Sequence, residues 1–595
     1  MICIIFFNSK PLFLIFFLSL FVICYTIDLT DYKYPVKDSS DKLFRVPIFA
    51  TNDLHGGIFP TQFYDKNNVR YSYGGGINLY SYAKIMKEQW GDQLLWLDGG
   101  DQFVGTMECM LSDCLIMRDY YNKVGVQGIG LGNHDFDYGL DYLREYIKKQ
   151  NFPVLAANVK NTKTGKYLYE EWENLEAYRI YELGANKEIK IGVIGLATKS
   201  SPSQTSTDLS DLVFEDYLTV TKKWEQELRN EKGVHAVILL THFGPLCEND
   251  KEEKMILGMR DSSSIQRNCK ESEEIMSFLE QIKTEGIQID GVVAAHVHDV
   301  VHHWISDIPV VESSGSDYFN ILYLPFKLTK GVYTIQTNKI VIEGPVPVCE
   351  KLWPDTKNCV YKYEDSSQME DFTFHNIQVK LDEDLSNELK YWNDIINDKI
   401  KNELTETKDE MFLDGTKETL LTNFVNDVGR IITESDFCFY NLGGIRTTWH
   451  KGIINEIDLF RMFPFNNTWV SFDMTGEEVY HMFQNLAYYT IYPSSGNVQT
   501  FSYKNSIYTM KNFLISDGEE EKPLEPNKIY RVCTNDFLAN GGSGMGKVRK
   551  WYPELINKKE FGIIRELLLK YLKKMKNITK EKFVDEKYPR ITIDN

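Results

Sequence analysis

From about residue 46 to 330 the chain alternates short, continuously apolar runs with amphipathic stretches. "VPIFATND" leads into "GGGINLYSYAKIMKEQW", and "LLWLDGGD" into "TMECMLSDCLIMRDYYNKVG". "VQGIGLGNHD", "PVLAANV", "IKIGVIGLA", "HAVILLTH" and "GVVAAHVH" follow. Runs that are apolar throughout, rather than at every second position, suit strands buried on both faces; separated by helices, they predict an α/β sheet. "PVVESSGSDYFN", "ILYLPFKL" and "GVYTIQTNKIVI" read as β pairs that close this unit, which we place at residues 41–345.

Between residues 346 and 409 the pattern changes to a cysteine-bounded loop, charged sequence and one long helix predicted over "DEDLSNELKYWNDIINDKIKNEL", which we read as a linker. A second unit, α+β, is expected over residues 410–590, with "SDFCFYNLGGIR", "TWVSFDMTG" and "KIYRVCTNDFLANGGSG" as its strand-and-loop signatures. The lysine-rich "LLLKYLKKMKNITKEKF" reads as a solvated helix.

The N-terminus carries an apolar run over residues 11–24, preceded by Lys10. It is short for a membrane span of ~20 residues and suits a signal peptide, placed at residues 1–25; an uncleaved anchor is the alternative. Secretion, or delivery to the lumen of the secretory or endolysosomal pathway, is therefore expected, with no stable membrane span once the leader is removed. Of the ten cysteines, Cys3 and Cys24 fall in the leader. Cys109 with Cys114, Cys247 with Cys269 and Cys349 with Cys359 form local couples, and Cys438 and Cys533 lie in separate strand-like runs. An even count in that compartment suggests disulfides of open connectivity. Sequons stand at Asn466 and Asn577. With 66 Lys and Arg against 85 Asp and Glu, the net charge of −19 argues against a nucleic acid polymer as partner. An acidic protein that handles an anionic substrate needs local positive charge, which bound metal ions can provide.

The polar residues at the strand ends supply candidates for that. Asp53 and His55 follow the first strand, Asp98 and Asp101 the second, Asn133 and His134 the third, His242 a later one, and His296 and His298 the last. Ligands of open α/β sheets bind outside the carboxyl ends of the strands. A lone histidine there is more often a hydrogen-bonded core residue than a ligand. Five such stations in series, with imidazole, carboxylate and amide oxygen but no thiolate, point instead to two divalent metal ions of the Zn, Mn, Fe or Co type, zinc favoured. A carboxylate central in chain order, such as Asp101, can bridge ions ~3.5–4 Å apart. Asp98 reads as a support for its turn, and Asp135 is given no role.

"DLH", "GDQF", "GNHDFD", "THFG" and "AHVH" resemble the motif series of the calcineurin-like metallophosphoesterases, and "NLGGIRTTW", "FPFNNTW" and "NDFLANGGSGM" the C-terminal domain of the 5′-nucleotidase family. The resemblance spans about residues 47–551. It implies a four-layer α/β/β/α metallophosphoesterase domain, a helical linker and an α+β substrate-binding domain. It further implies Asp53, His55, Asp101 and His298 around one metal and Asp101, Asn133, His242 and His296 around the other. His134 with Asp137 becomes the catalytic pair, Asn441, Arg446 and Ser543 substrate contacts, and Phe465 with Phe537 a sandwich for a base.

The sequence departs from that pattern in three places. Ala295 replaces the usual glycine before the histidine pair, Gly415 stands where an arginine is expected with Lys417 nearby, and Ser543 replaces an aspartate that holds ribose hydroxyls in nucleotide-specific relatives. The expected activity is hydrolysis of nucleoside 5′-monophosphates or other small phosphomonoesters. Nucleoside di- or triphosphates, UDP-sugars and cyclic nucleotides are the alternatives on the same scaffold, and a non-catalytic nucleotide-binding protein the alternative of another class. Oligomeric state is not legible.

Overall fold

The computed structural model describes residues 43–594, apart from 206, 248–258, 263–268, 360, 361, 363, 400, 401, 415, 416, 466, 488, 489, 505, 506, 517–519, 553 and 586–588. The predicted leader, Cys3, Cys24, Gly415 and the sequon asparagine Asn466 lie outside the described residues.

Strands β1 (Leu43–Thr51), β2 (Leu95–Asp98) and β3 (Gly128–Gly130) run parallel in a nine-stranded sheet. Strands β4 (Ile189–Leu196), β5 (Ala236–Thr241) and β6 (Gly291–Val293) run parallel in a six-stranded one. Successive side chains of a strand point to opposite faces, and each face here has an apolar partner. Ile48, Ala50, Leu95 and Leu97 meet Ile238, Leu240 and Val293 in a cluster between the sheets. Phe49, Trp96 and Ile129 turn outward onto Ile77, Leu79 and Met86 of the helix Gly76–Trp90. Val237, Leu239 and Val292 pack on Val220, Leu228, Phe278 and Leu279 of the helices Tyr217–Asn230 and Glu274–Thr284. The expected α/β/β/α layering is present, and burial on both faces is why these strands are apolar throughout.

Two predicted helices come out shorter. The stretch after β2 forms Met107–Leu111 and Leu115–Val124, interrupted where the Cys109–Cys114 bridge closes and Cys114 takes a left-handed φ of 56°. The long helix after residue 382 runs over Glu383–Lys399 and gives way to the strand Glu403–Thr407. The preceding residues supply Val346, Val348, Trp353, Phe372, Phe374 and Leu385 to the outer cluster of the first sheet.

In the C-terminal unit a five-stranded sheet includes Phe437–Phe439, Thr468–Thr475, Ile529–Asn535 and Ile556–Ile563. The helix Leu420–Thr433 packs on one face through Phe424 and Val428, and Gly476–Ala487 on the other through Val479 and Phe483. Cys438 and Cys533 face each other on neighbouring parallel strands and are bridged. Cys247–Cys269 and Cys349–Cys359 are also bridged.

Candidate metal centre and substrate cleft

The loops leaving β1 and β2 are laced together by backbone bonds, Asp53 N–H to Gly100 O at 2.9 Å and His55 N–H to Asp101 O at 3.1 Å. Asp53, His55, Asp101, His296 and His298 all adopt positive φ, between 46° and 87°. Such conformations cost ~1–3 kcal/mol each and persist only where the surroundings over-determine them. A Cβ on Gly132 would collide with the Asp101 carboxylate, so the "GLGNHD" turn needs glycine at that position.

The strand ends converge into two groups, Asp53, His55 and His298, and Asp101, His242 and His296. His55 Nε2 lies 3.5 Å from Asp101 Oδ2, 3.9 Å from Asp53 Oδ1 and 3.2 Å from His298 Nε2. His242 Nε2 lies 3.1 Å from Asp101 Oδ2 and 3.1 Å from Asn133 Oδ1. Asp101 Oδ2 is thus near both groups, as a bridging carboxylate must be. His55 Nδ1 donates to Phe103 O and His242 Nδ1 to Gly99 O, each at 2.9 Å, which turns both Nε2 atoms inward.

The donor set fits divalent cations. Asp53 Oδ2 accepts the His296 N–H and Asp101 Oδ1 the His134 N–H, yet Asp53 Oδ1 is buried without a hydrogen-bond partner, and the buried Asp101 Oδ2 faces the imidazole nitrogens of His55 and His242. A buried polar atom left so costs ~1–3 kcal/mol, more for a charged one, and a cation between the two groups removes that penalty. Burial pushes His55 down to about 3 and His296 to about 4, leaving both imidazoles neutral. Burial also disfavours charge on His242, but Asp101 overrides it and lifts that ring to about 10. The carboxylates call for positive charge here.

Further residues brace this arrangement. Asp98 accepts from Thr51 Oγ1, Tyr121 OH and Gly100 N–H, the turn support expected of it. Asp135, given no role by the sequence, is fully buried and accepts from Gly132 N–H at 2.8 Å, Gln102 N–H at 2.8 Å and Asp101 N–H at 3.3 Å, joining the β2 and β3 loops. Glu312 Oε1 accepts from Val297 N–H at 2.9 Å and His298 N–H at 3.1 Å, holding the loop that bears both terminal histidines. No local signal marked Glu312; "PVVESSG" reads only as a strand end.

His134 Nδ1 lies 2.7 Å from Asp137 Oδ2. Burial opposes a charge on this ring, but Asp137 outweighs it and the pKa rises. Beside the pair opens a cleft of about 420 Å³, lined by Asp101, Asn133, His134, His296 and His298 on one side and by Asn441, Arg446, Phe465, Phe537 and Ser543 on the other. Arg446 Nη2 reaches to 3.4 Å from His298 Nε2, and its guanidinium lies 5.8 Å from the Phe465 ring centre, itself 5.5 Å from the His134 ring. Asn441 Oδ1 accepts from Asn535 Nδ2 at 2.7 Å. A Cβ on Gly542 would run into the Phe537 ring, and the Ser543 carbonyl accepts from Tyr492 OH at 2.6 Å.

Two further contributors, besides Glu312, escaped the sequence reading. Gln204, on the loop after β4, places Nε2 3.2 Å from His296 Nε2. Arg565, 5% exposed, donates Nη1 to the carbonyls of Phe463 and Phe465 at 2.7 and 3.2 Å, fixing the segment that carries the cleft phenylalanine.

Known proteins share this architecture. Residues 403–550 match the family "5′-nucleotidase, C-terminal domain". The chain is 24% identical over 568 residues to protein UshA of Escherichia coli (strain K12), covering 90% of this chain and 92% of that protein. It is 23% identical over 601 residues to an apyrase of Tabanus yao, covering 92% and 94%. The crystal structure of a 5′-nucleotidase precursor from Thermus thermophilus matches with a TM-score of 0.69 at 19% identity, covering 93% of this chain and 100% of that one. Residues 403–550 thus form a 5′-nucleotidase C-terminal domain, and the chain shares the fold of that 5′-nucleotidase precursor and similarity with protein UshA along nearly its whole length.

Proposed function

We propose that this protein is a secreted, dinuclear metallophosphoesterase that hydrolyses nucleoside 5′-monophosphates to nucleoside and phosphate. The observation that carries this reading is the pair of buried oxygens, Asp53 Oδ1 without a hydrogen-bond partner and Asp101 Oδ2 among imidazole nitrogens, beside a cleft whose far wall offers Arg446 and two phenylalanines. Asp53, His55, Asp101 and His298 would hold one cation, and Asp101, Asn133, His242 and His296 the other. Bound there, the cations supply Lewis acidity toward the phosphoryl oxygens and a nucleophile from water at neutral pH. Arg446 offers a guanidinium to the same phosphoryl group. His134, its Nδ1 held by Asp137, turns its remaining nitrogen to charge building on the phosphoryl and leaving oxygens and can protonate the latter. Phe465 and Phe537 receive the base by stacking. Secretion is supported by the leader and by the four disulfides. Among the described residues no helix is long and apolar enough to cross a membrane.

A second reading keeps the chemistry and widens the substrate. Ser543 presents a neutral hydroxyl where an aspartate was expected, which weakens ribose selection and opens the cleft to other phosphomonoesters. Phosphate release from AMP, ADP, ATP, UDP-glucose and a simple aryl phosphate, with and without chelator, separates the two. The first reading expects AMP to have the highest kcat/KM and chelator to abolish turnover. His134→Ala should lower kcat ~10²–10⁴-fold with KM little changed. Chelator-resistant turnover, or His134→Ala at wild-type kcat, refutes the mechanism.

A further inference from the structure

The β4 strand ends without a candidate ligand, yet the loop that follows it touches the catalytic pair. Thr205 Oγ1 donates to Asp137 Oδ1 at 2.6 Å, while Asp137 Oδ2 takes His134 Nδ1 at 2.7 Å. Both carboxylate oxygens of Asp137 are therefore engaged, one by the histidine and one by the threonine. The same Thr205 oxygen accepts the Thr207 N–H at 3.3 Å, which leaves the hydroxyl proton to point at Asp137. A short turn, His134–Phe136, sets the spacing between His134 and Asp137 along the chain. It does not set the plane of the carboxylate, because the terminal torsion of aspartate is broad and roughly two-fold.

We propose that Thr205 is a positioning residue for the hydrolytic reaction: its hydroxyl locks the plane of the Asp137 carboxylate and, through it, the direction in which His134 faces the cleft. The inference rests on the catalytic role given to His134 above. With Thr205 bonded to Oδ1, rotation of the carboxylate breaks two hydrogen bonds rather than one, so the imidazole keeps one orientation and one tautomer. Partners of this kind, a step removed from the reacting atoms, typically carry ~10–100-fold effects when removed.

Thr207 supplies an internal control. Its Oγ1 donates to Phe136 O at 2.6 Å, pinning the same loop to the same turn without touching Asp137. A role limited to holding the loop would make the two threonines equivalent; a role in orienting the carboxylate makes only Thr205 matter.

The test uses full-length, metal-loaded protein with AMP and an aryl phosphate as substrates. Thr205→Val should lower kcat ~10–100-fold with KM and bound metal unchanged. Thr205→Ser, which keeps the hydroxyl, should recover most of the rate, and Thr207→Val should turn over like wild type. In a His134→Ala background, Thr205→Val should cost nothing further, because the two act through one group. Thr205→Ala serves in place of the valine variant should the latter not fold. Wild-type kcat in Thr205→Val beside a crippled His134→Ala overturns this inference alone. Equal losses in the Thr205 and Thr207 variants, or independent losses in the double variant, overturn it too. Wild-type kcat in His134→Ala removes the parent reading and this inference with it.

Discussion

On the metal side of the cleft, Asp53, Asp101, Asn133 and His242 are each 2% exposed or less, and most of their polar atoms are bonded to backbone or to one another. On the opposite wall, Arg446, Phe465 and Phe537 are only partly buried and Ser543 is exposed. The first group sits at the mouths of parallel strands, where positive-φ turns and buried carboxylates leave little room to move. The second sits on loops of another unit, held by Arg565, Tyr492 and Asn535. Under the proposed function the difference separates two tasks. Hydrolysis demands atoms fixed to within a fraction of an ångström, whereas recognition of the leaving group tolerates substitution on loops.

The contrast is sharpest at Asp101. Asp101→Ala should abolish measurable turnover of every substrate and lower the metal content of the purified protein, because the shared oxygen Oδ2 lies near both groups. Metal analysis and phosphate release decide it; a variant that keeps its metal and its activity breaks the division of labour. On the other wall, Phe465→Ala and Phe537→Ala should each weaken nucleotide binding by ~1–3 kcal/mol, seen as a raised KM for AMP. Their kcat for an aryl phosphate should stay near wild type, and a fall in that rate would place these rings in the chemistry. The smallest effect is expected of Ser543→Asp. It should shift preference toward ribonucleotides over aryl phosphate without changing bound metal, measured as a ratio of kcat/KM values; an unchanged ratio would remove Ser543 from the recognition surface.

Much of the candidate metal site was legible because local pattern and global position coincide in an α/β sheet. A buried strand such as Leu95–Asp98 is apolar until it ends, and polar residues just past the end fall at the sheet's carboxyl edge whatever the rest of the chain does. The bracing residues Thr205 and Arg565 carried no such mark. Thr205 meets Asp137 across 68 positions and Arg565 meets Phe463 across 102. Neither belongs to a periodic pattern, so only packing reveals them. The split of the helix at Cys114 was hidden for a similar reason: helix periodicity continues through the interruption, and the bridge to Cys109 decides against it.

The order of residues along the chain was enough to determine which side chains stand at the strand mouths, and that they include carboxylates and imidazoles without thiolate. Tertiary structure alone decided that Asp101 Oδ2 is the oxygen between the two groups, that His55 and His242 turn Nε2 inward, and that Arg446 and Phe465 close over His298 and His134. Strand periodicity fixes the edge of the sheet at which a residue emerges. The few ångströms that separate a ligand from a bystander are set by loop backbone bonds and by the docking of two units far apart in sequence.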